Sequence, residues 1–220
     1  MLSSVSKSRP KQTKLGIARA PDAEPRKSDR TREEILAAAL DFLLTRPFRD
    51  FTVAELMKMS GLSRSAFYQY FDDAYDLIRT LLRALEEEIR CVAAPWFTGK
   101  GAPLPLLRES LTNLVQIGYE RGPILRAVAD AAVSDERLEQ EWTKTLTHFD
   151  DAITSRIEQQ QKQGWVPSFE ARPVAEALNR MDASLLIHAF GRQPKGDPQP
   201  VVDALYRVWS ATLYPTLCET

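Results

Sequence analysis

From Thr31 onward, apolar side chains recur at three- and four-residue intervals with almost no strand-like alternation. The chain therefore reads as helices separated by short breaks. Thr31 and Glu34 form a capping-box pair, and Ile35, Leu36, Ala39, Leu40, Leu43 and Leu44 follow at helical spacing until Pro47 ends the run. Thr52 and Glu55 make a second capping box, opening a short helix that carries Val53, Leu56 and Met57 and closes near Ser60-Gly61. Ser63 is placed to cap a third helix, from Arg64 to about Tyr70. A longer helix from about Tyr75 to Ala93 has Leu77, Ile78, Leu81, Leu82, Leu85 and Ile89 on one face. Pro95, Gly99, Gly101 and Pro103 then mark a loop and the boundary between two parts.

Beyond that boundary the pattern predicts helices over about 104–120, 123–133, 135–163, 171–190 and 198–214. Gly122-Pro123, Ser134, Gly164 to Pro167 and Gly191 to Pro198 supply the breaks. Four helices followed by five, without a repeat period, make an all-α chain of about nine helices. The expected division is a tail over 1–27, a three-helix unit over 28–74, and a larger helical unit over 75–220 connected through the helix 75–93.

The helix Val53–Met59, the turn Ser60-Gly61-Leu62 and the helix Ser63–Phe71 have the dimensions of a helix-turn-helix, with Gly where φ > 0 is needed. Leu56, Leu62, Phe67 and Phe71 fall where they can pack inward against Leu40 and Leu44. Arg64, Ser65, Tyr68 and Gln69 are left on the outer face, and Tyr70 is expected outside as a second phenol. A short helix with that face fits a DNA major groove, roughly 12 Å wide, and the backbone N–H groups of Ser63–Ala66 can receive a phosphate. A merely solvated face of a small bundle is the other reading of the same spacing.

Composition narrows the class. In 220 residues, 44% hydrophobic and 27% charged side chains suit a globular protein that buries a core, and wholesale disorder is excluded. No apolar run approaches a membrane span; the best, around Ala183–Phe190, is broken by His188. The first thirty residues lack a signal-peptide apolar block, so a cytoplasmic protein is expected. Cys91 and Cys218 have no metal-ligand spacing and read as reduced thiols. His148 and His188 lack metal-like partners, and no phosphate loop or nucleophile elbow appears, so neither catalysis, a metal nor a cofactor is expected.

The net charge of −1 hides an asymmetry: residues 1–32 hold nine bases against three acids, a net +6, leaving −7 for the rest. The polar, Pro-broken tail is expected to be disordered alone, either an arm that follows a polyanion or a solvated leader.

Residues 31–82 resemble the N-terminal domain of TetR-family transcriptional regulators. Thr52-Val53-Ala54-Glu55-Leu56, Ser60-Gly61-Leu62-Ser63 and Phe67-Tyr68-Gln69-Tyr70-Phe71 carry the likeness. The C-terminal half is similar to EthR-type repressors of the ethionamide-activating monooxygenase, through Glu141-Trp142, Ala177-Leu178-Asn179-Arg180-Met181 and Val208-Trp209 followed by Leu213-Tyr214. The resemblance implies base contacts by Arg64 and Ser65, mixed base and backbone contacts by Tyr68 and Gln69, and phosphate contacts by Thr52 and Tyr70. It also implies an operator of double-stranded DNA, a homodimer through 171–190 and 198–214, and release of a repressor by a small hydrophobic ligand. A DNA-binding protein with no inducer, governed by a protein partner or by abundance, is the alternative. One departure matters: where the family usually has a phosphate-clamping Lys, this chain has Ala74, after Asp72 and Asp73. That predicts a weaker non-specific component and a salt slope lower by about one.

Four tryptophans (Trp96, Trp142, Trp165 and Trp209) lie beyond the helix-turn-helix, and Trp142 shares a stripe with Leu138, Leu146, Phe149 and Ile153. Ala175, Asn179, Asp182 and Leu186 form one stripe of the helix 171–190, where two short polar groups need partners if buried. They orient a ligand in a pocket, lie on an exposed edge, or bond across a dimer. With the resemblance, Leu114, Trp142, Leu146, Phe149, Asn179, Asp182 and Trp209 become the candidate pocket residues. The EthR type has a second Asn where this chain has Asp182; a carboxylate there favours a cationic or donor-bearing ligand, or weakens amide ligands. The expected division of Val201, Val202, Leu205, Val208, Trp209 and Leu213 between core and interface stays open.

Overall fold

A computed structural model describes residues 27–218. Among them are nine α-helices, one 3₁₀ turn and no strand. In order these are α1 (Lys27–Thr45), the 3₁₀ turn (Phe48–Asp50), α2 (Val53–Ser60), α3 (Arg64–Tyr68) and α4 (Ala74–Thr98), followed by α5 (Pro103–Ala132), α6 (Glu136–Lys162), α7 (Ala171–Phe190), α8 (Pro198–Leu213) and α9 (Pro215–Cys218). The expected tail over 1–27 lies outside the described residues, except that Lys27 begins α1. The all-α expectation holds; several boundaries do not.

The first helix buries Ile35, Leu36, Ala39, Phe42 and Leu43. Leu40 and Leu44 are only half-buried, because steps of 100° carry them past the edge of that stripe. Phe42, absent from the expected stripe, has no exposed surface and meets Phe51 edge-on at 5.1 Å. The 3₁₀ turn sets Phe48 against Phe51 and Tyr75, tying the three-helix unit to α4.

Two proline signals do not end helices. The expected break at Gly122-Pro123 lies inside α5. A Cβ at Gly122 would sit 2.5 Å from the Phe190 carbonyl oxygen, so this glycine serves the close approach of α5 to the end of α7. Pro123 cannot donate to the carbonyl of Tyr119 one turn back. The Lys195 ammonium donates to that carbonyl instead.

Pro95 likewise lies inside α4, which runs to Thr98 rather than stopping at Ala93. Neighbouring backbone groups that the interrupted ladder frees are satisfied from α5. Trp96 N donates to Ser110 Oγ (2.9 Å), Ser110 Oγ to the Ala93 carbonyl (3.0 Å), and Asn113 Nδ2 to the Val92 carbonyl (3.2 Å). A proline is tolerated where a packed neighbour supplies the missing partners.

The α4–α8 bundle encloses the second core. Trp96 donates to the Tyr214 hydroxyl at 2.8 Å, and that hydroxyl donates to Gln160 Oε1 at 2.5 Å, all of it buried. On α8, Val202, Leu205, Trp209 and Leu213 face this core, Val201 is half-buried and Val208 is exposed.

Candidate DNA-reading face and ligand cavity

The candidate reading face is built by caps and one glycine. Thr52 Oγ1 accepts the Glu55 N–H at 3.2 Å to start α2. Gly61, at φ +72°, ends it in the left-handed region, where a side chain would be strained. Ser60 Oγ donates to the Met57 carbonyl and accepts from Leu62 N, holding the turn. Ser63 Oγ then accepts the Ala66 N–H at 3.2 Å and lies 2.9 Å from Ser65 Oγ.

α3 hangs on Phe67, which is wholly buried against Phe71 with ring centroids 5.5 Å apart. That anchor turns Arg64, Ser65, Tyr68 and Gln69 outward, with Tyr68 53% exposed. Thr52 and Ser63 are exposed beside them.

Two expectations need correction. Tyr70 is half-buried, packed against the core rather than standing free, because the chain leaves α3 at Tyr68 and turns. The Ala66 N–H is already taken by Ser63 and is not available to a phosphate. Of the two aspartates after α3, Asp73 is employed through its carboxylate and Asp72 through its backbone N–H. Asp73 caps α4 through the Asp76 N–H (2.8 Å), and the Asp72 N–H donates to Asp76 Oδ2 (3.2 Å).

The larger unit holds a cavity of about 90 Å³ between α4, α5, α6, α7 and α8. Its wall includes Leu114 from α5 and Trp142, Leu146 and Phe149 from α6. Asn179 and Asp182 from α7 and Trp209 from α8 complete the set expected from sequence, so all seven residues meet at one void. Glu86, Trp96, Phe97, Ser110 and Thr145 also line it and were missed. Glu86 and Phe97 carried no signal, since each sits off the apolar stripe of α4; Trp96 lay beyond the proline taken as a helix end. A larger opening of about 400 Å³ adjoins it at Glu86, Phe97 and Phe149, with Arg90, His148 and Arg156 around it.

The polar groups of the cavity differ in how they are satisfied. Asn179 Nδ2 donates to Asp150 Oδ1 (2.7 Å) and the Leu146 carbonyl (3.0 Å). Asp150, fully buried, is also held by both Nη atoms of Arg180 at 2.9 Å. Burial works against the Glu86 carboxylate. Its contacts with His148 (2.9 Å) and Thr145 (3.0 Å), and the charge of Arg90, nonetheless hold it below the ordinary carboxylate range.

Among the described residues Asp182 has one hydrogen-bond partner, the Trp209 indole N–H at 3.0 Å. Burial pushes its carboxyl up to about 7, and that single hydrogen bond only partly opposes the rise. Among the described residues no group of three or more His, Cys, Asp or Glu side chains could hold a metal ion. No helix among them is long and apolar enough to cross a membrane.

Two family models match the chain. Residues 35–81 match the bacterial regulatory proteins of the tetR family, and residues 107–215 match the C-terminal domain of the transcriptional regulator EthR. The HTH-type transcriptional regulator EthR of Mycobacterium tuberculosis is 27% identical over 187 residues, 82% of this chain and 85% of that protein. Its namesake from Mycolicibacterium smegmatis is 26% identical over 202 residues, 89% of this chain and 91% of the relative.

Solved structures share the fold. A TetR-family transcriptional regulator from Rhodococcus sp. superposes with a TM-score of 0.71 at 18% identity, covering 83% of this chain and 98% of that one. A transcriptional regulator from Saccharomonospora viridis, solved in complex with choline, gives 0.67 at 15% identity, covering 84% and 97%. Motif, fold and both matches agree: the chain belongs to the TetR family of DNA-binding transcriptional regulators, with a C-terminal half of the EthR type.

Proposed function

We propose that this protein is a cytoplasmic repressor that binds a palindromic operator as a homodimer and is released when a small ligand fills the cavity of the larger unit. The carrying observation is the exposed set Arg64, Ser65, Tyr68 and Gln69 on a helix fixed from beneath by Phe67. One five-residue helix covers too few base pairs to specify a site, so a pair of them, roughly 34–36 Å apart in successive major grooves, is required. The half-buried and exposed faces of α7 and α8, including Val201 and Val208, form the dimer contact.

α4 is the lever. Its first residues follow the reading unit, and Leu82, Leu85, Glu86 and Ile89 on its length wall the cavity. A ligand that spreads α4 from α6 changes the separation of the two reading helices. A coupling of ~1–3 kcal/mol lowers operator affinity ~5–150-fold. That a protein of this fold was solved with choline supports a small molecule as the effector.

Selection of bound oligonucleotides from a random pool with the full chain tests this reading. Enrichment of an inverted repeat supports it. Enrichment of a single asymmetric site, or of none, overturns the dimeric-operator reading.

A further inference from the structure

We propose that the cavity selects an organic cation, an apolar body ending in a protonated amine that pairs with the Asp182 carboxylate. This rests on the reading of the cavity as the effector site. Asp182 is 6% exposed and lies on a mostly apolar wall, whose other polar side chains are Glu86, Ser110, Thr145 and Asn179. Trp209 Nε1 occupies Oδ1, and no donor among the described residues reaches the second carboxylate oxygen. A buried carboxylate with one neutral hydrogen bond is costly to the fold, and an isosteric amide or an apolar side chain would be cheaper. The group is poised for a partner the protein itself does not provide.

The remaining charges decide the sign of that partner. From α4 the cavity receives Glu86, a second carboxylate, already held by His148, Thr145 and Arg90. From α5, α6 and α8 it receives no charged side chain, and from α7 only Asp182. Asp150, on α6, is neutralised by Arg180 and sits behind Asn179. Among the described residues no lysine, arginine or histidine lines the space.

An anion would face two carboxylates and no base; a neutral ligand would leave Asp182 without a counter-charge. A cation gains the carboxylate, and Trp96, Trp142 and Trp209 line the same space with electron-rich indoles that attract positive charge. Bases gather only around the adjoining opening, at Arg90, His148 and Arg156, so an acid would be drawn there instead.

The test compares octylamine, 1-octanol and octanoate, equal in chain length, by calorimetry on the full-length protein and on Asp182→Asn. The expected result is at least tenfold tighter binding of the amine than of the alcohol, with that advantage lost in the variant. Should Asp182→Asn not fold, amine affinity of the unmodified protein is followed from pH 5 to 8. It rises toward the upper end while that of the alcohol stays flat, and the rise persists in His148→Gln.

Equal binding of amine and alcohol, or preference for octanoate, overturns the cation assignment while leaving an effector cavity in place. A lack of binding by all three, together with no displacement of operator DNA, overturns both.

Discussion

Arg137, in the first turn of α6, donates through Nη2 to the carboxylate of Asp73, the cap of α4, at 3.0 Å. The same guanidinium holds Asp135, the cap of its own helix, at 2.8 Å and lies 5.7 Å from the Tyr75 ring. One side chain thus joins the last residues of the reading unit to the start of a cavity-forming helix. Both partners are solvent-exposed, so the pair adds little to stability, and its consequence is positional.

Arg137→Gln is therefore expected to leave the thermal midpoint within replicate scatter. It should weaken the link between cavity and reading face, reducing ligand-induced release several-fold while ligand affinity changes less. Fluorescence anisotropy of labelled operator, with and without ligand, checks this. Unchanged release in the variant would show that the latch carries no coupling.

Arg64 is exposed at the start of α3 and has no hydrogen bond or ion pair among the described residues. Arg64→Ala should lower affinity for the selected operator by about 1–3 kcal/mol and flatten preference among its variants. The thermal midpoint should not move. Competition binding against single-base operator variants reads both effects, and loss of affinity without loss of preference would reduce Arg64 to a backbone contact.

Gly122 and Gly118 differ in what a methyl group would strike. At Gly122 the obstacle is Phe190 backbone, its carbonyl oxygen 2.5 Å from the added carbon. At Gly118 it is the end of the Leu186 side chain, at 2.6 Å, which can swing toward the cavity it already lines. Gly122→Ala should cost about 1–3 kcal/mol. Gly118→Ala should cost less and instead weaken ligand binding by filling the space. Denaturant titration of both variants gives the comparison.

These glycines also show where local pattern misleads. Glycine followed by proline reads as a stop, yet Gly122 lets α5 come close to the Phe190 backbone, and the carbonyl orphaned by Pro123 is served by Lys195. Around Pro95, Ser110 and Asn113 satisfy the neighbouring Trp96 N–H and the Ala93 and Val92 carbonyls. Repair from a distant element leaves no trace in an eleven-residue window.

Periodicity did reveal the stripes. Asn179 and Asp182 share a helical face and both reach the cavity, as do Trp142, Leu146 and Phe149 from α6. It could not reveal that Asn179 is spent on Asp150 while Asp182 is left with one bond, since that depends on how α6 and α7 meet. The helix-turn-helix was the most legible part, because its caps, glycine and buried aromatics are all specified within twenty residues.

Tyr214 ties the C-terminal end of α8 to α4 and α6 by accepting from Trp96 and donating to Gln160. Burial pushes its phenol up, so it stays a neutral donor across the working pH range. Tyr214→Phe keeps the shape and strands a buried indole N–H and a buried amide oxygen. A loss of about 1–3 kcal/mol in unfolding free energy is expected. Loss near zero would mean that the two groups find each other or water.

Asp182→Asn yields a pH-dependent stability difference whose sign is fixed by the burial of the carboxyl. Folding raises this group from 3.8 to about 7, so between those values the native chain keeps a proton that the unfolded chain has released. Its stabilising share is complete below about pH 4 and declines as pH rises through the interval, to a constant deficit above about 7. At 1.4 kcal/mol per unit, the full swing is of order 4 kcal/mol at most. The amide cannot ionise and still offers an oxygen to Trp209. Asp182→Asn should therefore match the unmodified protein near pH 4.5 and exceed it in unfolding free energy at pH 8. Urea titrations at the two values decide it: a difference that does not grow with pH would place the ionising carboxylate in contact with a base or with water.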